Sequence, residues 1–163
     1  KSLYEENVDH LIGEILDFSS KNNCRLVLPI DAVTADKISN KADTKESDID
    51  NIEEQNMILD IGKNTVKLIK NEISKSKTVF WNGPLGVFET SPFDRGTVEI
   101  AKFISNLTGN NKIRSFAGGG DTISALDLAG VKDNFSYVST GGGALLELIE
   151  GKKLPGLVAL GIL

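Results

Sequence analysis

Three stretches of this chain combine residue types that can hold a phosphate. "FAGGGDTISALDL" (116–128) and "STGGGALLELIEGKKLPG" (139–156) each set three glycines between a β-prone run and an apolar helical run, and "WNGPLGVFE" (81–89) follows the β-prone "TVFW". Glycine loses more backbone entropy on folding than any other residue, so two triple-glycine turns need a reason. Such a turn lets the backbone approach a ligand, and the first N–H groups of the helix behind it lack intrahelical partners and point outward at the positive dipole end. Together these features make a phosphate site. Tight turns or close helix–sheet packing are the alternative use of the same glycines. Two clusters flanking a loop that carries Asn82 and Glu89 favour the ligand.

Individual side chains sharpen this reading. Asp121 closes the first cluster, where it can cap a helix, hold a hard cation such as Mg²⁺ beside a di- or triphosphate, or do both. Thr122 can offer its hydroxyl to phosphate or simply sit in the first helical turn. Asn82 can donate to a phosphate oxygen without adding charge. Glu89, the only acid in its loop, either faces solvent or accepts from the two hydroxyls of a ribose. Other chemistries find no support. There is no G-x-x-x-x-G-K-[ST], no helix-opening G-x-G-x-x-G, no C-x-x-C and no G-x-S-x-G, and His10, the sole histidine, falls off its helix's apolar stripe. What remains is electrostatic positioning of phosphates, which is how phosphoryl transfer proceeds.

The elements that must position these residues are legible as periodicities. β-prone runs occur at 25–30, 78–81, 113–117 and 135–139, nearly continuous in apolar residues, as strands buried on both faces are. Helical patterns fall at about 60–75, 94–107, 121–129 and 143–150. The alternation predicts an α/β fold, an open parallel sheet with helices on both faces. Loops after the strands' C-terminal ends then share one edge, where ligands bind. Residues 36–56, charged and poor in large apolar residues, are expected as solvated loop or edge structure.

Composition sets the outer limits. The 163 residues are 40% hydrophobic and 25% charged, ordinary for one globular domain. A net charge of −5 with only three arginines, Arg25, Arg95 and Arg114, argues against nucleic-acid or anionic-membrane partners. The one cysteine, Cys24, is expected as a small buried thiol in "CRLVLPI". No apolar run is long enough to cross a bilayer and no secretory signal opens the chain, so the expected location is cytoplasmic. Near the start, Val8, Leu11, Ile12, Ile15 and Leu16 make a helical stripe with no preceding strand to cover it, which predicts that residue 1 is not the natural start.

On "LPIDAVTADK", "LDIG", "FWNGPLGVFE", "GGGD" and "STGGGALLELIEGKKLPG", found in order through nearly the whole chain, the sequence closely resembles the phosphoglycerate kinase family. The resemblance implies a Rossmann-like sheet and places residues 1–163 in the latter part of a C-terminal nucleotide-binding domain, with the N-terminal substrate domain absent. It implies phosphoryl transfer between 1,3-bisphosphoglycerate and Mg-ADP, giving 3-phosphoglycerate and Mg-ATP in glycolysis, by a full-length enzyme that is monomeric. By its motifs, Asn82, Pro84, Glu89, Gly118, Gly119, Gly120, Asp121, Thr122 and Thr140 would bind nucleotide, Asp121 would meet the metal, and Gly141, Gly142 and Gly143 would face the phosphoryl group in flight. Ile58 departs from the family, many of whose members carry glycine there, beside the adenine. These residues alone are expected to be inactive; a stand-alone nucleotide- or phosphate-binding module, or a structural remnant with an open sheet edge, are the competing expectations.

Overall fold

The computed structural model describes residues 1–162. Helix α1 (Asp9–Lys21) opens the chain, followed by strands β1 (Asp31–Ala35), β2 (Lys45–Asp48) and β3 (Met57–Ile61). Then come α2 (Lys63–Lys75), β4 (Thr78–Trp81), α3 (Arg95–Gly109), β5 (Arg114–Gly118), α4 (Gly120–Ala129) and β6 (Tyr137–Ser139). Two short helices, α5 (Gly143–Ile149) and α6 (Pro155–Ala159), end the order.

The parallel sheet has the order β4-β5-β6, with Trp81 opposite Ala117 and Gly118 opposite Ser139. Its helices flank it, and the main core forms where they meet the strands. Ile100, Ile104 and Leu126 from α3 and α4 pack with Trp81 and Ala117 from β4 and β5. Trp81 also meets Phe135 with ring centroids 6.4 Å apart and tilted by 50°, a favourable aromatic arrangement.

A second sheet, order β2-β1-β3, is antiparallel throughout. It adds to the predicted architecture an element that the apolar runs did not announce. β2, "KESD", is a charged edge strand, as edge strands that avoid pairing with other chains tend to be, and it falls inside the stretch expected as loop or edge. A small satellite core of Ala35, Leu59 and Phe93 joins this sheet to the loop after β4.

Three local expectations fail. Residues 25–30 form no strand, because among the described residues no neighbour is there to complete a ladder; Leu26, Leu28 and Ile30 remain exposed. Cys24 is exposed for the same reason, lying with Leu26 beside the apolar face of α1 rather than in a core. The helix expected from residue 60 begins at Lys63, since Asp60 and Ile61 belong to β3. The stripe on α1 does form, and it buries nothing: Leu11, Ile12, Ile15 and Leu16 all stay about half exposed.

Candidate functional site

Register alone brings the three glycine-bearing loops together. Asn82 follows Trp81, which faces Ala117, and Gly118 faces Ser139, the residue before Thr140. Adjacent strands lie about 4.8 Å apart, so the loops after β4, β5 and β6 start within roughly 10 Å of one another on one edge.

Packing explains two of the glycines. Gly118 is buried, and a Cβ there would stand 3.0 Å from Leu145 Cδ2, so its absence lets α5 close onto β5. Gly119 has φ +98° and ψ 141°, a conformation that L side chains rarely adopt, and a Cβ on it would stand 3.0 Å from Asn82 Oδ1. Gly120 has open space in front of it. Thr122 is fully buried, and its hydroxyl oxygen accepts a hydrogen bond from the Gly83 N–H at 2.6 Å, tying the first glycine turn to the loop after β4. The Trp81 indole N–H donates to the Gly83 carbonyl, fixing the same residue from its other side.

Asp121 is the second residue of α4 and is exposed; the cap position belongs to Gly119, which has no side chain to offer, so the capping role expected of Asp121 is not the one it fills. Thr140, Gly141, Gly142 and Gly143 are exposed, with Gly142 at φ +56° and the Gly141 N–H donating to Ser139 Oγ at 3.2 Å. Glu89 is exposed at the far end of its loop, and Pro84 is half-buried nearer the sheet.

Two buried aspartates that the sequence reading passed over account for the helix ends on the other side. Asp31, at the start of β1, accepts from the N–H groups of Asn64 and Thr65 at 2.9 and 2.7 Å and from the Thr65 hydroxyl at 2.6 Å. Burial pushes its carboxyl up, but the Thr65 hydroxyl, the Asn64 and Thr65 N–H groups and the Lys63 charge outweigh that and hold it below the ordinary 3.8. Asp60, in β3, accepts from the Gly96 N–H and its neighbour Ile61 N–H, each at 2.8 Å. Burial raises its carboxyl to about 6 against those two hydrogen bonds, and the charges of Asp94 and Glu99 push the same way.

The contrast among helix N-termini is informative. α2 and α3 have no cap from their own cap residue and receive a carboxylate from a distant strand. α4 starts with neither, so its first N–H groups stay open toward the shared edge. An open, positive helix end beside a glycine turn is where an anion fits. The only signal for the aspartates was the glycine opposite each: a Cβ at Gly62 would collide with the Asp31 carboxylate, and one at Gly96 would stand 2.5 Å from Asp60 Oδ1.

Beside the edge lies an open, mostly apolar cavity of about 420 Å³, lined among others by Ile58, Leu59, Pro84, Leu85, Gly86 and Val87. Among the described residues no group of three or more His, Cys, Asp or Glu is placed to hold a metal, and no helix is long and apolar enough to cross a membrane.

Fold and edge together define an α/β protein whose glycine-bearing loops meet at the carboxyl ends of its parallel strands, the edge at which open sheets of this class bind ligands. The family model for phosphoglycerate kinase matches residues 1–152, and the chain belongs to that family. Phosphoglycerate kinases of Chelativorans sp. (strain BNC1) and Xanthobacter flavus are 47% and 44% identical over 160 residues, 98% of this chain. The chain spans about 40% of the length of these curated relatives. The solved phosphoglycerate kinase of Coxiella burnetii matches with a TM-score of 0.87 at 37% identity, over 93% of this chain and 38% of that one. That of Pyrococcus horikoshii OT3 matches at 0.67 and 30%, over 99% and 41%.

Proposed function

We propose that this chain is the nucleotide-bearing part of a phosphoglycerate kinase, and that it does not turn over alone. The observation that carries the reading is the uncapped N-terminus of α4 behind the Gly118–Gly120 turn, on the edge that register shares with Asn82 and Thr140. In the whole enzyme, an oxygen of the ADP β-phosphate would attack the phosphorus of an acyl phosphate, the phosphorus–acyl oxygen bond would break, and 3-phosphoglycerate would leave as its carboxylate.

In this reading the residues divide the nucleotide between them. The apolar cavity bounded by Ile58, Pro84 and Val87 takes the base. Glu89 accepts from the ribose hydroxyls, and the Asn82 amide donates to a phosphate oxygen. The open N–H groups at the start of α4 meet the phosphates, their charge unopposed by any capping carboxylate. Thr140 and Gly141–Gly143, with backbone exposed, face the group in transfer and stabilise the charge it spreads.

Asp121 would hold a magnesium ion that arrives with the nucleotide: its one exposed carboxylate suits an ion whose other ligands are phosphate oxygens and water. Such an ion neutralises phosphate charge. The phosphoglycerate side would come from the part of the relatives this chain does not span, and the chain's three scattered arginines could not replace it.

Calorimetric titration of Mg-ADP into the 163-residue chain, with EDTA and Asp121→Ala as controls, tests the reading. It expects saturable heat that either control diminishes, and no 3-phosphoglycerate-dependent ATP consumption in a coupled assay. Turnover by the chain alone, or a folded chain that gives no heat, would contradict it.

A further inference from the structure

The loop from Asn82 to Phe93 carries Asn82, Pro84 and Glu89 but contains no helix or strand. Something else must hold its inner wall, Pro84 to Val87, at a fixed distance from the cavity floor on β3. Three hydrogen bonds do so. The Leu85 N–H donates to the Thr97 hydroxyl oxygen at 3.0 Å, the Val87 N–H donates to the Leu59 carbonyl at 2.8 Å, and the Gly96 N–H donates to Asp60 Oδ2 at 2.8 Å. The first joins the loop to α3, the second joins it to β3, and the third joins α3 to β3, closing a triangle.

The two side chains in this triangle are sealed from water: Thr97 is 0% and Asp60 1% exposed. The Asp60 carboxylate is wedged between loop and helix, since a Cβ on Gly86 or on Gly96 would stand 2.5 Å from its Oδ1. It is an expensive fastening. The carboxylate is desolvated, and on the α3 side it faces the charges of Asp94 and Glu99, with Asp94 Oδ1 itself buried and unpartnered. An apolar contact would join strand to helix at lower cost, but it would not fix the position of α3, and with it the Thr97 hydroxyl that holds Leu85, along β3.

We propose that Asp60 and Thr97 are positioning residues that set the spacing between the Pro84–Val87 wall and the Ile58–Leu59 floor, and thereby the affinity for the nucleoside half of a nucleotide. Thr97 lies outside the cavity lining, and Asp60, which borders the cavity, keeps its carboxylate engaged with the Gly96 and Ile61 N–H groups. The inference rests on the nucleotide reading above for its ligand, while the fastening itself stands on geometry.

Thr97→Val keeps the shape and removes the acceptor for the Leu85 N–H; Thr97→Ser keeps the acceptor. Amide hydrogen exchange followed by NMR on the 163-residue chain should show the Leu85 and Val87 amides of Thr97→Val exchanging about tenfold faster, with Ala117 and Leu126 unchanged and Thr97→Ser like the wild type. In titrations, Thr97→Val and Asp60→Asn should weaken Mg-ADP by about tenfold and leave inorganic pyrophosphate, a probe of the glycine turn alone, unchanged. Uniform loss of protection across the core, or equal weakening of both ligands, would reduce these residues to general stability and overturn the proposal. Unaltered loop exchange in Thr97→Val would overturn it as well. A wild-type chain that binds no Mg-ADP would sink the nucleotide reading and the affinity half of this inference together, and the exchange result would still decide the fastening.

Discussion

The Thr122 hydroxyl, fully buried, accepts the Gly83 N–H at 2.6 Å, so the residue that follows the first glycine turn also holds the loop after β4. Thr122→Val removes the acceptor without changing the shape and leaves a half-buried N–H unpaired. We expect a stability loss of roughly 1–3 kcal/mol and weaker Mg-ADP binding, both restored in Thr122→Ser, as measured by urea unfolding and calorimetry.

Gly119→Ala tests the turn itself. Its φ of +98° and the 3.0 Å approach to Asn82 Oδ1 penalise any side chain. We expect a cost of about 1–3 kcal/mol in thermal unfolding and a loss of ADP affinity. Gly120→Ala, with open space at its Cβ, should cost much less stability.

Asp31→Ala strips α2 of its acceptor and leaves the Asn64 and Thr65 N–H groups without their carboxylate, while the Thr65 hydroxyl keeps the Asp31 carbonyl. Urea unfolding at pH 7 should show a loss of roughly 2–4 kcal/mol. Because the folded carboxyl sits below 3.8, its contribution is present above that pH and is lost as the pH falls through the depressed value, so the gap between wild type and variant should narrow in acid.

Asp60 carries the opposite sign. Its folded carboxyl titrates at about 6 against 3.8 in the unfolded chain, so the protonated form is favoured by folding. The stability it contributes is full below 3.8 and is lost as the pH rises through 6, by about 3 kcal/mol. Unfolding free energies of the wild type and Asp60→Asn measured from pH 4 to pH 7.5 should therefore diverge in slope; parallel curves would show that Asp60 ionises normally.

Ile58→Trp places a large side chain at the rim of the cavity beside Pro84 and Val87. Since Ile58 is 44% exposed, the fold should tolerate the change within about 1 kcal/mol. Mg-ADP binding should fall while pyrophosphate binding persists, a split that calorimetry reads directly.

What the sequence determined by itself was local and periodic. The strands β4, β5 and β6 and the helices α3, α4 and α5 follow from apolar runs and 3.6-residue stripes, and the glycine turns mark their junctions, because backbone preference and side-chain burial act over a few residues. The motifs were equally visible, since they are contiguous in the chain. Tertiary structure decided what depends on a distant partner. Residues 25–30 have the composition of a strand but no neighbour among the described residues, and a strand is defined by its ladder. β1 to β3 include the charged edge strand "KESD", which gives no apolar signal. Asp31 and Asp60 read as ordinary acids until folding brings them against Thr65 and Gly96, 34 and 36 residues away. Which helix end is plugged by a carboxylate and which stays open for a ligand is therefore fixed only by packing, because a cap supplied across the fold leaves no more than a glycine, Gly62 or Gly96, at the start of the helix it caps.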